Sequence, residues 1–209
     1  MSIYLLSPSF HKGTIHYPMI QFRVVDTSLD LSKVEILMFT SKQGVKSAQS
    51  LNPLWKNLPC IAIGNATAKQ IVALGGTVMH QPKNFYAQSL SQDIVENFKA
   101  KKILYLRPKK VSFDSKSFLE TSGVEIEEKV IYETFCIAYK QESKPPRGAI
   151  IICTSPSSIY CFLENFGWDS SYIAVVIGKA TQRHLPPRAQ YLLADTQSIE
   201  ACVRKAQTI

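Results

Sequence analysis

No apolar run in this chain approaches the ~20 residues that a membrane-spanning helix needs. The opening stretch Met1-Ser2-Ile3-Tyr4-Leu5-Leu6-Ser7-Pro8 has neither the basic flank nor the long apolar centre of a secretory signal. A soluble cytoplasmic protein with no membrane partner is therefore expected. The five cysteines, Cys60, Cys136, Cys153, Cys161 and Cys202, form no C-x-x-C pair and sit mostly inside apolar runs. That pattern argues for buried thiols in a reducing compartment and against a disulfide framework or a cysteine metal site. The four histidines, His11, His16, His80 and His184, show no H-x-x-x-H or H-E-x-x-H spacing. They read as surface or loop side chains, and no metal site is expected. Neither G-x-G-x-x-G nor G-x-x-x-x-G-K-[ST] occurs, which disfavours dinucleotide and P-loop nucleotide binding.

Acidic residues are scarce relative to basic ones, 16 against 24, and the 209-residue chain carries a net charge of +8. That balance favours anionic partners. The basic residues are not interleaved with aromatics in any nucleic-acid module, so a nucleic acid is not expected among them. Hydrophobic residues make up 45% and charged residues 19%, which excludes disorder as the dominant state.

Short apolar strands alternate with amphipathic segments, as in α/β proteins with largely parallel sheets. The pattern repeats. Ile36-Leu37-Met38-Phe39-Thr40-Ser41 resembles Ile150-Ile151-Ile152-Cys153-Thr154-Ser155, and Ser41 and Ser155 stand 114 positions apart. Ile61-Ala62-Ile63-Gly64-Asn65-Ala66-Thr67 resembles Val175-Val176-Ile177-Gly178-Lys179-Ala180-Thr181 at the same spacing of 114. A weaker pair, Gln88-Ser89-Leu90 and Gln197-Ser198-Ile199, stands 109 apart. The first copy continues through a strand at Ile103-Leu104-Tyr105-Leu106-Arg107, a helix near Ser115–Ser122 and a strand through Val130-Ile131-Tyr132. Counterparts of those elements for the second copy lie at the N-terminus, where Ile3-Tyr4-Leu5-Leu6-Ser7-Pro8 resembles Ile103–Pro108.

The economical fold is two similar doubly wound, flavodoxin-like parallel-sheet domains, the first of them discontinuous. Domain 1 takes residues 1–19 and 140–209, and domain 2 takes 28–128. Segments 20–27 and 129–139 cross between them and can pair as a two-stranded β-ladder linker about which the domains hinge.

In open α/β sheets ligands bind beyond the carboxyl ends of the strands. Thr40-Ser41 and Thr154-Ser155 close strands and open helices there. Ser41 and Ser155 can simply cap those helices, or their hydroxyls and the adjacent N–H groups can hold an anion. Gly64-Asn65-Ala66-Thr67 and Gly178-Lys179-Ala180-Thr181 repeat the geometry one strand over. Arg107, at a strand end, can grip a carboxylate or belong to a solvated basic face. Gly75-Gly76 reads as a helix C-cap.

Taken together, Phe39-Thr40-Ser41, Ile63–Thr67, Val130-Ile131-Tyr132-Glu133-Thr134, Thr154-Ser155-Pro156-Ser157 and Ile177-Gly178 with Thr181 resemble the uroporphyrinogen-III synthase family over most of the chain. The resemblance implies two α/β domains joined by a β-ladder with the active site in the cleft. It implies cofactor-free closure of the linear tetrapyrrole hydroxymethylbilane, with loss of water and inversion of ring D through a spiro intermediate. The partner is then a polycarboxylate small molecule, and a monomer is expected because hinging of the two domains needs no second copy. Tyr132 is the expected catalytic residue, assisting hydroxyl departure. Thr67, Thr181, Ser41, Ser155, Gly64, Asn65, Ala66, Gly178, Lys179 and Arg107 are the expected substrate binders, with no metal. Two departures stand out. The family's Arg-Pro corner and first helix are replaced by Ser7-Pro8 and a stretch with little helical pattern, and Pro186-Pro187 truncates the helix after Thr181. The competing reading is a non-catalytic two-domain, hinge-closing binding protein for an anionic metabolite.

Overall fold

The computed structural model describes residues 1–25 and 28–209. Asp26 and Thr27, part of the expected linker segment 20–27, lie outside the described residues. The chain divides into two compact units, Phe22–Thr134 and Met1–Gln21 with Phe135–Ile209.

The first of these is built on strands β4 (Ile36–Phe39), β5 (Pro59–Ala62), β6 (Thr77–His80), β7 (Ile103–Pro108) and β8 (Ile126–Cys136, which runs past the unit's end). Helices α1 (Lys42–Leu51), α2 (Asn65–Ala73), α3 (Ala87–Asn97) and α4 (Ser115–Thr121) connect them. The order is β6-β5-β4-β7-β8, all parallel. Successive residues of β4 point to opposite faces, as the strand period demands. Leu37 and Phe39 pack with Val45, Ala48, Trp55 and Ile71 on the α1 and α2 side. Ile36 and Met38 pack with Leu90, Ile94 and Leu119 on the α3 and α4 side. All four β4 side chains are buried, so the strand reads as one continuous apolar run.

The other unit carries β1 (Ile3–Leu5), β2 (Ile15–His16), β9 (Ile150–Cys153), β10 (Ile173–Val176) and β11 (Gln190–Leu193), with helices α5 (Pro156–Phe166), α6 (Lys179–Gln182) and α7 (Ile199–Ala206). Its order, β11-β10-β9-β1-β2, is also all parallel. The two windings coincide. Leu37 pairs with Cys60 and Leu104, while Ile151 pairs with Ala174 and Tyr4. The spacing of 114 in the sequence is therefore a spacing in backbone register. In the sheet of β4 the chain winds outward over three strands, β4 to β6, before it reverses to β7. In the other sheet it reverses after two, β1 and β2, which is the flavodoxin-like order.

No helix forms between β1 and β2. Local turns take its place. Ser9 N–H donates to Ser7 Oγ at 3.0 Å, Thr14 Oγ1 donates to His11 O at 2.8 Å, and Gly13 adopts φ +86°. Helix α6 is a single turn, closed off by Pro186 and Pro187, with Arg188 following at φ 65°. Strand β3 (Ile20–Val24) lies beside β8. Val25 N–H donates to Ile131 O at 3.0 Å and Ile137 N–H to Met19 O at 2.9 Å, an antiparallel course.

The cysteine expectation needs a correction. Cys60, Cys153 and Cys202 are buried free thiols, but Cys136 and Cys161 form a disulfide. The end of β8 is brought against α5 there. Asn165 of α5 fastens the same segment, donating from Nδ2 to Ile137 O and accepting at Oδ1 from Tyr139 N–H. Among the described residues no helix is long and apolar enough to cross a membrane, and no three His, Cys, Asp or Glu side chains gather as metal ligands.

Candidate active site

Strand β4 occupies the point where the winding reverses, with β5 on one side and β7 on the other. Crevices for ligands open at such points, beyond the carboxyl ends of the strands. The corner leaving β4 is Thr40-Ser41. Ser41 is the N-cap of α1, in extended conformation, and its Oγ accepts the Gly44 N–H at 3.0 Å. The same oxygen lies 2.7 Å from the Tyr132 hydroxyl. One residue earlier, Thr40 Oγ1 lies 2.8 Å from the Tyr105 hydroxyl. The two phenols come from opposite sides of the sheet, since Tyr132 packs with the α1 and α2 cluster and Tyr105 with the α3 and α4 cluster. Two consecutive hydroxyl residues thus each hold one tyrosine.

Both phenols are buried, at 4% and 2% exposure. Burial raises the pKa of Tyr132, with the Ser41 hydrogen bond opposing it. Burial likewise pushes Tyr105 up to about 12 against the lowering effect of Thr40. Each is a protonated phenol at neutral pH. The ring of Phe22 meets that of Tyr132 edge-on at 5.8 Å.

Arg107 closes β7. Its Nε donates to Glu128 Oε2 at 2.8 Å, and its Nη1 to the carbonyls of Pro108 and Lys109 at 3.0 and 3.2 Å. Beyond it, Lys109 and Arg23 both pair with Glu133, at 2.7 and 3.0 Å, and hold that carboxyl below its ordinary range.

The neighbouring corner follows β5. Ile63 N–H donates to Phe39 O, tying it to the β4 corner, just as Ile177 N–H donates to Cys153 O in the other unit. Gly64 and Gly178 are both extended and cap α2 and α6. Space is tight at Gly64, where a Cβ would stand 3.3 Å from the ring of the exposed Phe85. At Gly178 it would stand 3.4 Å from Gln197. Thr67 and Thr181 point inward, 3% and 4% exposed, and their N–H groups return to the Gly64 and Gly178 carbonyls. Asn65, Ala66, Lys179 and Ala180 are the exposed members of these corners. Asn65 Oδ1 accepts from Gln81 Nε2 at 2.8 Å. Beyond the end of β6 a cavity of about 470 Å³ is lined by His80, Lys83, Asn84, Asp93 and Asn97 among others.

The duplicated corner in the other unit is plainer. Ser155 caps α5, accepting from Ser158 N–H at 3.2 Å, and its Oγ lies 3.2 Å from Ser157 Oγ. The strand register sets Leu5 where Tyr105 stands, opposite Ile152 and Met38 respectively. Sequence reasoning found Ser41 and Tyr132 but not their contact, and it missed Tyr105 and Glu128. The signal for Tyr105 was available. A position filled by leucine in one copy and tyrosine in the other does not need its hydroxyl for packing.

The family model for uroporphyrinogen-III synthase HemD matches residues 13–204. Among solved structures, the uroporphyrinogen-III synthetase of Helicobacter pylori 26695 is similar over 99% of this chain and 98% of its own. Its TM-score is 0.80 at 23% identity. A mutant uroporphyrinogen III synthase of the extremely thermophilic bacterium Thermus thermophilus is similar over 93% of this chain and 88% of its own, with TM-score 0.59 at 11% identity. At those identities the likeness is one of fold. A comparison with curated proteins finds no match.

Proposed function

The chain belongs to the uroporphyrinogen-III synthase family, enzymes of tetrapyrrole biosynthesis, and from that premise we propose that the β4 corner is where its reaction is assisted. Family membership disfavours the non-catalytic binding module. The substrate is a tetrapyrrole. In its linear form, hydroxymethylbilane, it carries carboxylates on every ring and a terminal hydroxymethyl group.

The observation that carries the reading is the 2.7 Å contact between Ser41 Oγ and the Tyr132 hydroxyl at the reversal point of the sheet. Departure of the hydroxymethyl oxygen as water needs a proton. Tyr132 is a neutral, buried phenol able to supply one. Loss of water leaves an azafulvene electrophile, which attacks the substituted carbon of ring D through a spiro intermediate. Reaction at the free position is the easy alternative. The protein's task is therefore chiefly to hold a conformation, and general acid help adds to that.

Binding of the carboxylates is assigned to the corners Gly64-Asn65-Ala66-Thr67 and Gly178-Lys179-Ala180-Thr181, with Ser155 and Arg107. Since Thr67 and Thr181 are buried and their N–H groups are taken by the Gly64 and Gly178 carbonyls, the exposed Asn65 and Lys179 are the better contacts. Helix starts and the net charge of +8 favour an anion there. The linker 20–27 with 129–139 between domains 1–19 with 140–209 and 28–128 is proposed as a hinge, because a two-stranded ribbon is only marginally stable alone. The working state is proposed as a cytoplasmic monomer that needs neither a cofactor nor a nucleic acid. A coupled assay tests the reading: hydroxymethylbilane is supplied and the type I and type III products are separated. Type III product is expected, and type I alone contradicts it.

A further inference from the structure

The hydrogen-bond partners at the β4 corner carry more than the assignment of Tyr132. A buried phenolic O–H requires an acceptor. Tyr132 is 4% exposed, and the partner of its hydroxyl is Ser41 Oγ. Ser41 Oγ already accepts the Gly44 N–H at 3.0 Å, and its second lone pair is available to the phenol. With the phenol as the donor of that contact, both lone pairs are engaged and the Ser41 proton is the one left to donate outward. Ser41 is also the more exposed of the two residues, half-buried against the buried Tyr132.

On the reading given above, we infer that Ser41 is the side chain that touches the leaving hydroxyl, and that Tyr132 acts through it. Ser41 gives its proton to the hydroxymethyl oxygen. The carbon–oxygen bond breaks, its electron pair leaves with water, and the adjacent pyrrole nitrogen supplies electrons to the carbon. The phenol proton moves to Ser41 Oγ, leaving a phenolate. A proton surrendered later by the cyclising tetrapyrrole restores the phenol. Gly44 N–H, at the start of α1, polarises the chain in the sense of this transfer and stabilises negative charge on its members. Burial keeps the phenol protonated until then. Ser41 is thus a catalytic residue and Tyr132 a positioning and proton-supplying one. The duplicated corner lacks the device, since Ser155 Oγ meets Ser157 instead.

Steady-state turnover of hydroxymethylbilane by the full chain tests the inference, with Ser41→Gly, Ser41→Thr and Tyr132→Phe. Glycine is tolerated as an N-cap at a cost of a few tenths of a kcal/mol, so Ser41→Gly removes the hydroxyl while keeping the helix start. Ser41→Gly is expected to lower kcat by roughly 10²-fold or more with KM little changed, and Ser41→Thr to restore it to within several-fold. Tyr132→Phe is expected to lower kcat less than Ser41→Gly does. If Tyr132→Phe is impaired while Ser41→Gly keeps full kcat, Tyr132 meets the substrate directly. The inference is then overturned, and the reading of the corner stands. If both variants keep full kcat, the reading of the corner falls with it.

Discussion

Arg107 Nε stands 2.8 Å from Glu128 Oε2, and this ion pair, only 20% and 15% exposed on its two sides, joins β7 to β8 two residues past Tyr105. The guanidinium also binds two backbone carbonyls through Nη1. That fork fixes the end of β7 in a way an ammonium cannot reproduce.

Removal of either partner leaves a half-buried charge without its counter-ion. Arg107→Ala and Glu128→Gln are each expected to lower unfolding free energy by about 1–3 kcal/mol. Arg107→Lys should recover less than half of the Arg107→Ala loss. Chemical denaturation of the three variants checks both expectations.

Gly76 is fixed by a neighbour. A Cβ there would stand 2.6 Å from Trp55 Cζ3 and 3.0 Å from Ile71 Cγ2. Trp55 is fully buried and cannot retreat. Gly76→Ala is expected to cost about 1–3 kcal/mol or more by overpacking. Gly75, at φ +85°, lies 3.9 Å from the nearest atom, so Gly75→Ala should cost about 1–2 kcal/mol through its left-handed backbone alone. Thermal melts that rank Gly75→Ala above Gly76→Ala in damage would contradict this.

Stability should decline at alkaline pH. Burial pushes Tyr17, Tyr105 and Tyr172 each up to about 12 from a reference of 10.0. Further contributions come from Tyr139 beside Tyr17 and Asp169 beside Tyr172. Near pH 10 the unfolded chain releases these protons and the folded one retains them. The unfolded state then binds fewer protons, so unfolding becomes easier as pH rises. The stabilisation is full below pH 10 and is lost between about 10 and 12. Urea midpoints measured from pH 8 to 11 should be level at first and then fall. Tyr105→Phe should make that fall shallower.

The Cys136–Cys161 disulfide spans 25 positions. On the chain-entropy view its loss destabilises by about 3–4 kcal/mol. Thiol titration of the unreduced, denatured protein should find three groups, and five after reduction. Cys136→Ser should unfold at lower denaturant than the oxidised protein and match the reduced one.

Much of the scaffold was legible because it is written twice. The spacing from Ser41 to Ser155 and from Thr67 to Thr181 reappears in the pairing of Leu37 with Cys60 and Ile151 with Ala174. Local chemistry also reads directly. Ser41 and Ser155 cap their helices, Pro186-Pro187 ends α6, and the stretch after Ser7-Pro8 forms no helix. What escaped depends on contacts remote in sequence. A tyrosine inside the apolar run Ile103–Arg107 reads as core, and only the placement of Thr40 opposite it reveals a hydroxyl pair. The grip of Arg107 on Glu128 needs the register of β7 on β8. The inward turn of Thr67 and Thr181 follows from the first turns of α2 and α6, where the third helical residue faces the sheet. The disulfide depends on how α5 meets the end of β8, which cysteine spacing alone does not encode.

The most direct test of the central claim is a comparison of wild-type and Tyr132→Phe proteins on hydroxymethylbilane, with kcat and the type III to type I product ratio measured together. The expected result is a fall of roughly one to two orders of magnitude in kcat, with type I product accumulating as the uncatalysed closure competes. Undiminished kcat with pure type III product from the phenylalanine variant would contradict it.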